Sequence, residues 1–139
     1  MQKLIEGVAK FKSEVVPEHQ ALFDKLATGQ SPDVLFITCA DSRIDPAMIT
    51  QTMPGELFVC RNAGNVVPPH SKNIEGTTAS IEFATAVLGV KHIVICGHTD
   101  CGAIKGAMAP QNLDAIPRVQ DWVDNSRAAV KAAEATQGE

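Results

Sequence analysis

Two short runs constrain the fold of this chain more than any other feature. Val34-Leu35-Phe36-Ile37-Thr38 and His92-Ile93-Val94-Ile95-Cys96 are apolar at consecutive rather than alternate positions. A strand wetted on one face alternates, so an unbroken apolar, β-branched run reads as a strand covered on both faces, as in parallel sheets. Glu56–Arg61 reads as a further strand, followed by a loop over Asn62–Pro69 rich in Asn, Gly and Pro. Helical patterns lie between the strands. Asp45-Pro46 reads as an N-cap with proline at the first helical position, opening a short helix through Met48 and Ile49. Residues 73–88 carry Ile74, Ile81, Phe83, Ala84, Val87 and Leu88, with Gly89 as the stop. After a Gly- and Ala-rich stretch over Thr99–Met108, Ile116–Thr136 reads as a final helix carrying Trp122. Ahead of the first strand, residues 3–16 place Leu4, Ile5, Val8, Phe11 and Val15 at helical spacing until Pro17 interrupts. A second helical stretch covers His19–Ala27 and stops near Gly29. The order is a helical arm and then β-α-β-α-β-α. This predicts an α/β fold with a parallel β-sheet core flanked by helices, right-handed crossovers, and no repeat or linker.

Composition narrows the function. At 139 residues the chain suits one domain, and 45% hydrophobic with 20% charged residues excludes a disordered or fibrous protein. A net charge of −4 and a pI near 5.5 leave no basic footprint for nucleic acid. No apolar run approaches the ~20 residues needed to cross a bilayer. MQKLIEGVAKFKSE lacks the apolar core and cleavage site of a signal peptide, so a soluble, cytoplasmic protein is expected. Four cysteines, Cys39, Cys60, Cys96 and Cys101, are too few for a disulfide-built scaffold.

The chemistry gathers where strands end. The first strand runs into Cys39-Ala40-Asp41-Ser42-Arg43, and the third into Gly97-His98-Thr99-Asp100-Cys101-Gly102. Ligands of open α/β sheets bind at the carboxyl ends of the strands. If those strands are neighbours, Cys39, His98 and Cys101 converge on one point. Two thiolates and an imidazole make a tetrahedral zinc site with its fourth position open, a catalytic rather than a structural pattern. Neither HxxC nor CxDxR is specific alone; each placed just past a buried strand, the two together are. Cys60 and Cys96, inside apolar runs, read as packing residues. His19 and His92 read as surface or packing residues, and His70, after Pro68-Pro69, as a loop residue more than a proton relay. Gly97-x4-Gly102 lacks the Lys and Ser/Thr of a phosphate loop, and there is no CxxC, GxGxxG or GxSxG. A cysteine nucleophile served by His98 is the competing reading, and it leaves the second thiol three residues later unexplained.

Cys39-Ala-Asp41-Ser-Arg43 together with His98-x-x-Cys101 resembles the β-class carbonic anhydrases. Gly29-Gln30-Ser31-Pro32, Pro54-Gly55-Glu56-Leu57-Phe58, Arg61-Asn62-Ala63-Gly64-Asn65, Ser80-Ile81-Glu82-Phe83 and Cys101-Gly102-Ala103-Ile104-Lys105-Gly106 are similar to that family's signatures. The resemblance spans nearly the whole chain. It implies a single domain, with a helical arm over residues 1–28 and a zinc-binding α/β core over 29–139. It implies one Zn²⁺ per chain held by Cys39, His98 and Cys101, and reversible hydration of CO₂ to bicarbonate. Asp41 would accept a hydrogen bond from zinc-bound hydroxide, and Arg43 would keep Asp41 ionised and oriented. The Gly102 N–H and the Gln30 amide would contact substrate oxygens, while Phe58, Ala63 and Phe83 would line an apolar pocket. The resemblance further implies a homodimer or higher homo-oligomer with the pocket at the interface, so that Gln30 and Phe58 serve the partner's zinc. Phe83 stands where many plant-type members carry tyrosine, and Phe36 where the bicarbonate-regulated bacterial subgroup carries tryptophan. Members usually continue past the position of Glu139 for a helix and a strand, so a truncated or short form is expected. The same resemblance admits hydrolysis of carbon disulfide or carbonyl sulfide as an alternative chemistry. A non-catalytic zinc-binding assembly module is the reading from another class, and the Asp41-Arg43 pair, which a structural zinc does not need, argues against it.

Overall fold

The computed structural model describes residues 1–69 and 75–136. His70 and Ile74 lie outside the described residues, and Glu75 is extended, so the helix expected over 73–88 begins no earlier than Gly76 within them. The chain divides into two compact units, Met1–Ser31 and Pro32–Glu139.

The N-terminal unit is helical. α1 spans Gln2–Lys10, α2 Val16–Glu18 and α3 Gln20–Leu26. Pro17 does not interrupt the chain as expected. The turns over Phe11–Val15 are wide, with the Val16 N–H donating to the carbonyl of Phe11, five residues back. That widening relaxes the clash a proline ring makes with the carbonyl four residues before it. The break falls at His19 instead (φ −114°, ψ 27°). Phe11 and Phe23 meet edge to face, with ring centroids 5.6 Å apart. α1 buries none of its residues; Leu4, Ile5 and Val8 are all more than half exposed.

The larger unit is the expected α/β core. β1 (Val34–Cys39), β2 (Leu57–Asn62) and β3 (His92–Cys96) form a parallel sheet in the order β2-β1-β3. Cys39 is opposite Asn62, and Thr38 opposite both Arg61 and Cys96. Both leading strands therefore run one residue further than the apolar pattern suggests. Leu35 and Ile37, alternate residues of the central strand, are fully buried with Cys60 and Ala84, against Phe58, Ile81 and Val90. Burial of Cys60 matches its reading as a packing thiol. α4 (Pro46–Thr50) starts as expected, the Asp45 carboxylate accepting from the Met48 N–H at 2.8 Å. α5 (Gly76–Glu82) continues through wide turns over Phe83–Val87, and Gly89 follows in the left-handed region at φ 65°.

Two expectations need correction. β3 is not buried on both faces: Ile93, Val94 and Ile95 are 49%, 39% and 56% exposed, and Cys96 is only half-buried. Its composition is that of an interior strand, but among the described residues it pairs only with β1, so it forms an edge. Nor is Ile116–Thr136 one helix. α6 (Gly102–Met108) is followed by α7 (Pro117–Val123), a 3₁₀ turn at Asp124–Ser126, and α8 (Arg127–Thr136). The turn falls where Asp, Asn and Ser compete with backbone partners: Asn125 Nδ2 donates to the Trp122 carbonyl, and Arg127 Nε to the Asp124 carboxylate. Ala107, Leu113 and Val123 form a second small core among these helices.

Candidate metal centre

The strand order brings the chemistry together. Cys39 closes the central strand, and β3 beside it delivers His98 and then Cys101, the residue ahead of α6. Their ligand atoms all lie within 4.8 Å of one another. The two sulfurs are 3.9 Å apart, far from a disulfide and close to the ~3.8 Å that two thiolates span on one tetrahedral zinc. Both cysteines are buried. His98 Nδ1 donates to the Thr99 carbonyl at 2.9 Å, which assigns the ring proton to Nδ1 and leaves Nε2 with a lone pair. Nε2 is closed off from solvent and makes no hydrogen bond. A buried, orphaned acceptor beside two thiols is what a soft divalent cation satisfies, so these residues fit a metal of the zinc type.

The protein tunes the donors. Burial pushes the Cys39 thiol up, but the Gly64 N–H, His98, the Asp41 backbone and Cys101 outweigh it and bring it down to about 7. The Gly64 N–H reaches Cys39 Sγ at 3.3 Å. Cys39, close by though not in hydrogen-bond geometry, raises the His98 ring above its ordinary value against the effect of burial.

Asp41 leaves the strand two residues after Cys39 and its Oδ2 comes within 3.8 Å of His98 Nε2. Arg43 grips it from behind: Nε donates to Oδ1 at 2.9 Å, Nη2 to Oδ2 at 2.8 Å, and its backbone N–H to Oδ1 at 2.9 Å. The Arg43 guanidinium holds the Asp41 carboxyl well below the usual carboxylate range, and Asp41 and Asp100 in turn hold Arg43 charged.

Sequence reasoning gave no role to the residues that shape this corner. Arg61 Nε donates to the Cys39 carbonyl at 3.0 Å, and Nη2 to the carbonyls of Asp41 (2.8 Å) and Ile44 (2.9 Å). The loop carrying Cys39 and Asp41 is thus tied to β2. Asn62, expected in a loop, ends β2: its side chain both donates to the Val66 carbonyl and accepts from the Val66 N–H, and also donates to Thr77 Oγ1. These two bonds to Val66 fold residues 62–66 back so that Gly64 faces the thiol. The only sequence signal was that both residues belong to Arg61-Asn62-Ala63-Gly64-Asn65.

Other expected site residues lie elsewhere. Phe58 is opposite Leu35, four positions before Cys39, and packs on Phe83 with centroids 5.8 Å apart. This pair lies roughly 13 Å back along the strand from the cluster. The Ala63 carbonyl accepts from Trp122 Nε1 at 2.8 Å. Gly102 is exposed at the start of α6, and Gln30 belongs to the N-terminal unit. An open cavity of about 430 Å³ lies between the Gly64–Val67 loop, α6 and α8, and none of the three cluster residues lines it.

Fold and cluster together define a parallel α/β domain whose buried Cys-His-Cys group could hold one metal ion. A family model described as carbonic anhydrase matches residues 34–139. A carbonic anhydrase of Synechococcus elongatus is 51% identical over 92% of this chain and 47% of its own length. Among solved structures, the β-carbonic anhydrase CcaA superposes with a TM-score of 0.89 at 45% identity, over 92% of this chain and 63% of that one. One of two tetrameric β-carbonic anhydrases from Sordaria macrospora gives 0.83 at 33% identity, over 99% and 68%. The chain belongs to the carbonic anhydrase family, and its fold is that of the β-class. It spans about half the length of the curated relatives it matches. No helix among the described residues is long and apolar enough to cross a membrane.

Proposed function

We propose that this chain carries out the reversible hydration of CO₂ to bicarbonate and a proton, with Zn²⁺ held by Cys39, His98 and Cys101. The observation that carries the reading is the orphaned Nε2 of His98, buried beside two thiols at metal-ligand spacing. Zinc bound there supplies Lewis acidity, which brings water ionisation into the neutral range.

The remaining work belongs to the protein. Asp41, held ionised, can only accept a hydrogen bond, so a nucleophile at the cluster must turn its proton toward Oδ2 and its lone pair toward substrate carbon. Arg43 supplies the fork that keeps this carboxylate charged and aimed. By resemblance, the Gly102 N–H and the Gln30 amide contact substrate oxygens, while Phe58, Ala63 and Phe83 furnish apolar surface. The distance of the Phe58–Phe83 pair from its own cluster suits a homo-oligomer in which Gln30 and Phe58 serve the partner's zinc. The tetrameric relatives support that assembly. The reading takes residues 1–28 as an arm on a single zinc-binding core, 29–139. A cytoplasmic setting suits four free thiols.

Stopped-flow CO₂ hydration on protein of measured zinc content tests the proposal. We expect zinc-dependent turnover that Cys39→Ser abolishes together with the zinc. Full zinc loading without any rate above background refutes it.

A further inference from the structure

Arg43 is held by more than Asp41. Asp41 takes Nε and Nη2 of the guanidinium. The other edge is held from the loop after β3: Nη1 donates to Asp100 Oδ2 at 3.2 Å, and Nη2 to the Asp100 carbonyl at 3.1 Å. The second carboxylate oxygen of Asp100, Oδ1, accepts from Lys105 Nζ on α6. Asp100 lies at φ 59°, a left-handed conformation that residues other than glycine adopt infrequently and that recurs where function demands it. That backbone turn presents the carbonyl and the carboxylate of one residue to the same guanidinium.

We propose that Asp100, braced by Lys105, is a positioning residue that fixes the plane of the Arg43 guanidinium and thereby aims Asp41 Oδ2 at the Cys39-His98-Cys101 cluster. The catalytic consequence rests on the carbonic anhydrase reading; the clamp itself rests on geometry. An arginine gripped by one carboxylate can swing and carry that carboxylate along. Grips from two loops, one after β1 and one after β3, remove this freedom. The Arg43, Asp100 and Lys105 side chains are 57%, 58% and 66% exposed, and exposed ion pairs add little to global stability. The clamp therefore acts on orientation and leaves the stability of the fold nearly unchanged.

Asp100→Asn is the informative variant. Asparagine tolerates the left-handed backbone but offers one carbonyl oxygen where two acceptors are needed. The chain has four arginines, so side-chain Nε–H signals in ¹H–¹⁵N spectra of the zinc-loaded protein are assignable, with Arg43 identified by Arg43→Lys. We expect Arg43 Nε–H exchange with water to quicken about tenfold in Asp100→Asn and in Lys105→Gln, and to be restored in Lys105→Arg. The urea midpoint should stay put, and kcat should fall about tenfold in both variants with KM little changed. Unchanged Arg43 exchange in Asp100→Asn overturns the clamp, as does a general loosening in which Arg61 exchange quickens and the urea midpoint drops. A wild-type chain without hydration activity but with the same Arg43 response supports the clamp and refutes the carbonic anhydrase reading. An active wild type whose Asp100→Asn variant keeps Arg43 slow does the reverse.

Discussion

Replacing Gly64 by alanine should damage the metal centre from a position that is not a ligand. Gly64 sits at φ 84°, and a Cβ built there would stand 2.9 Å from the Cβ of Ala103, with Val66 Cγ2 at 3.5 Å and Ile104 Cδ1 at 3.6 Å. The left-handed backbone costs an alanine about 1–2 kcal/mol. The clash cannot be relieved by a rotamer, because Ala103 has none, so α6 or the loop must shift, at about 1–3 kcal/mol for an overpacked core. Together these give a loss of roughly 2–5 kcal/mol. The displacement also has a direction. α6 begins immediately after Cys101, and the Gly64 N–H is a donor to Cys39. Pushing the two apart separates the two thiols and withdraws a hydrogen bond from one of them. Zinc affinity should fall about 10–100-fold, the range seen when groups supporting a ligand are lost. Urea unfolding with and without zinc, alongside competition against a chromophoric chelator, measures both effects. A Gly64→Ala protein within about 1 kcal/mol of the parent, and with undiminished zinc affinity, would refute the packing argument.

Two further outcomes follow from the geometry around β1. Arg61→Gln strands the carbonyls of Cys39, Asp41 and Ile44 that the guanidinium now serves, and should cost about 2 kcal/mol by urea unfolding; a change below about 0.5 kcal/mol would show that water replaces it. The Arg43 guanidinium holds the largely enclosed Asp41 carboxyl well below its ordinary value. The unfolded chain therefore takes up this proton first as the pH falls, so the stabilisation is present above about pH 4 and is lost as pH drops toward the folded value. Urea midpoints should decline as the pH falls from about 5 to below 4; a midpoint that holds or rises there contradicts the assignment.

What was legible in the sequence was local. The β1 run announces a buried strand because Val34 through Ile37 are apolar without a break, and Asp45-Pro46 announces a helix start because the cap and the proline act within one turn. Cys39, His98 and Cys101 could be grouped because topology alone puts the ends of neighbouring strands together. What escaped depends on distant partners. Exposure of β3 turns on what pairs beyond it, which no pattern within five residues encodes. Arg61 and Asp100 acquire roles only through contacts with Cys39 and Arg43, 22 and 57 residues away. Helix continuity through Pro17 and the break at Asp124–Ser126 escape the sequence pattern for a related reason. A wide turn upstream accommodates the proline, while side-chain bonds at the second site draw the backbone out of register.

The order of the strands has a consequence in time. The central strand is the first made, and Cys39 precedes Cys101 by 62 residues. At 5–20 residues per second, roughly 3–12 s of synthesis separate the two thiols. Until β3 is made, late in that interval, the largely apolar β1 has at most one neighbour to pair with, and its terminal sulfur has neither the imidazole nor the second thiol. Assembly of the centre is thus gated by the arrival of β3, and a chaperone or a pause in translation would act on this protein in that window.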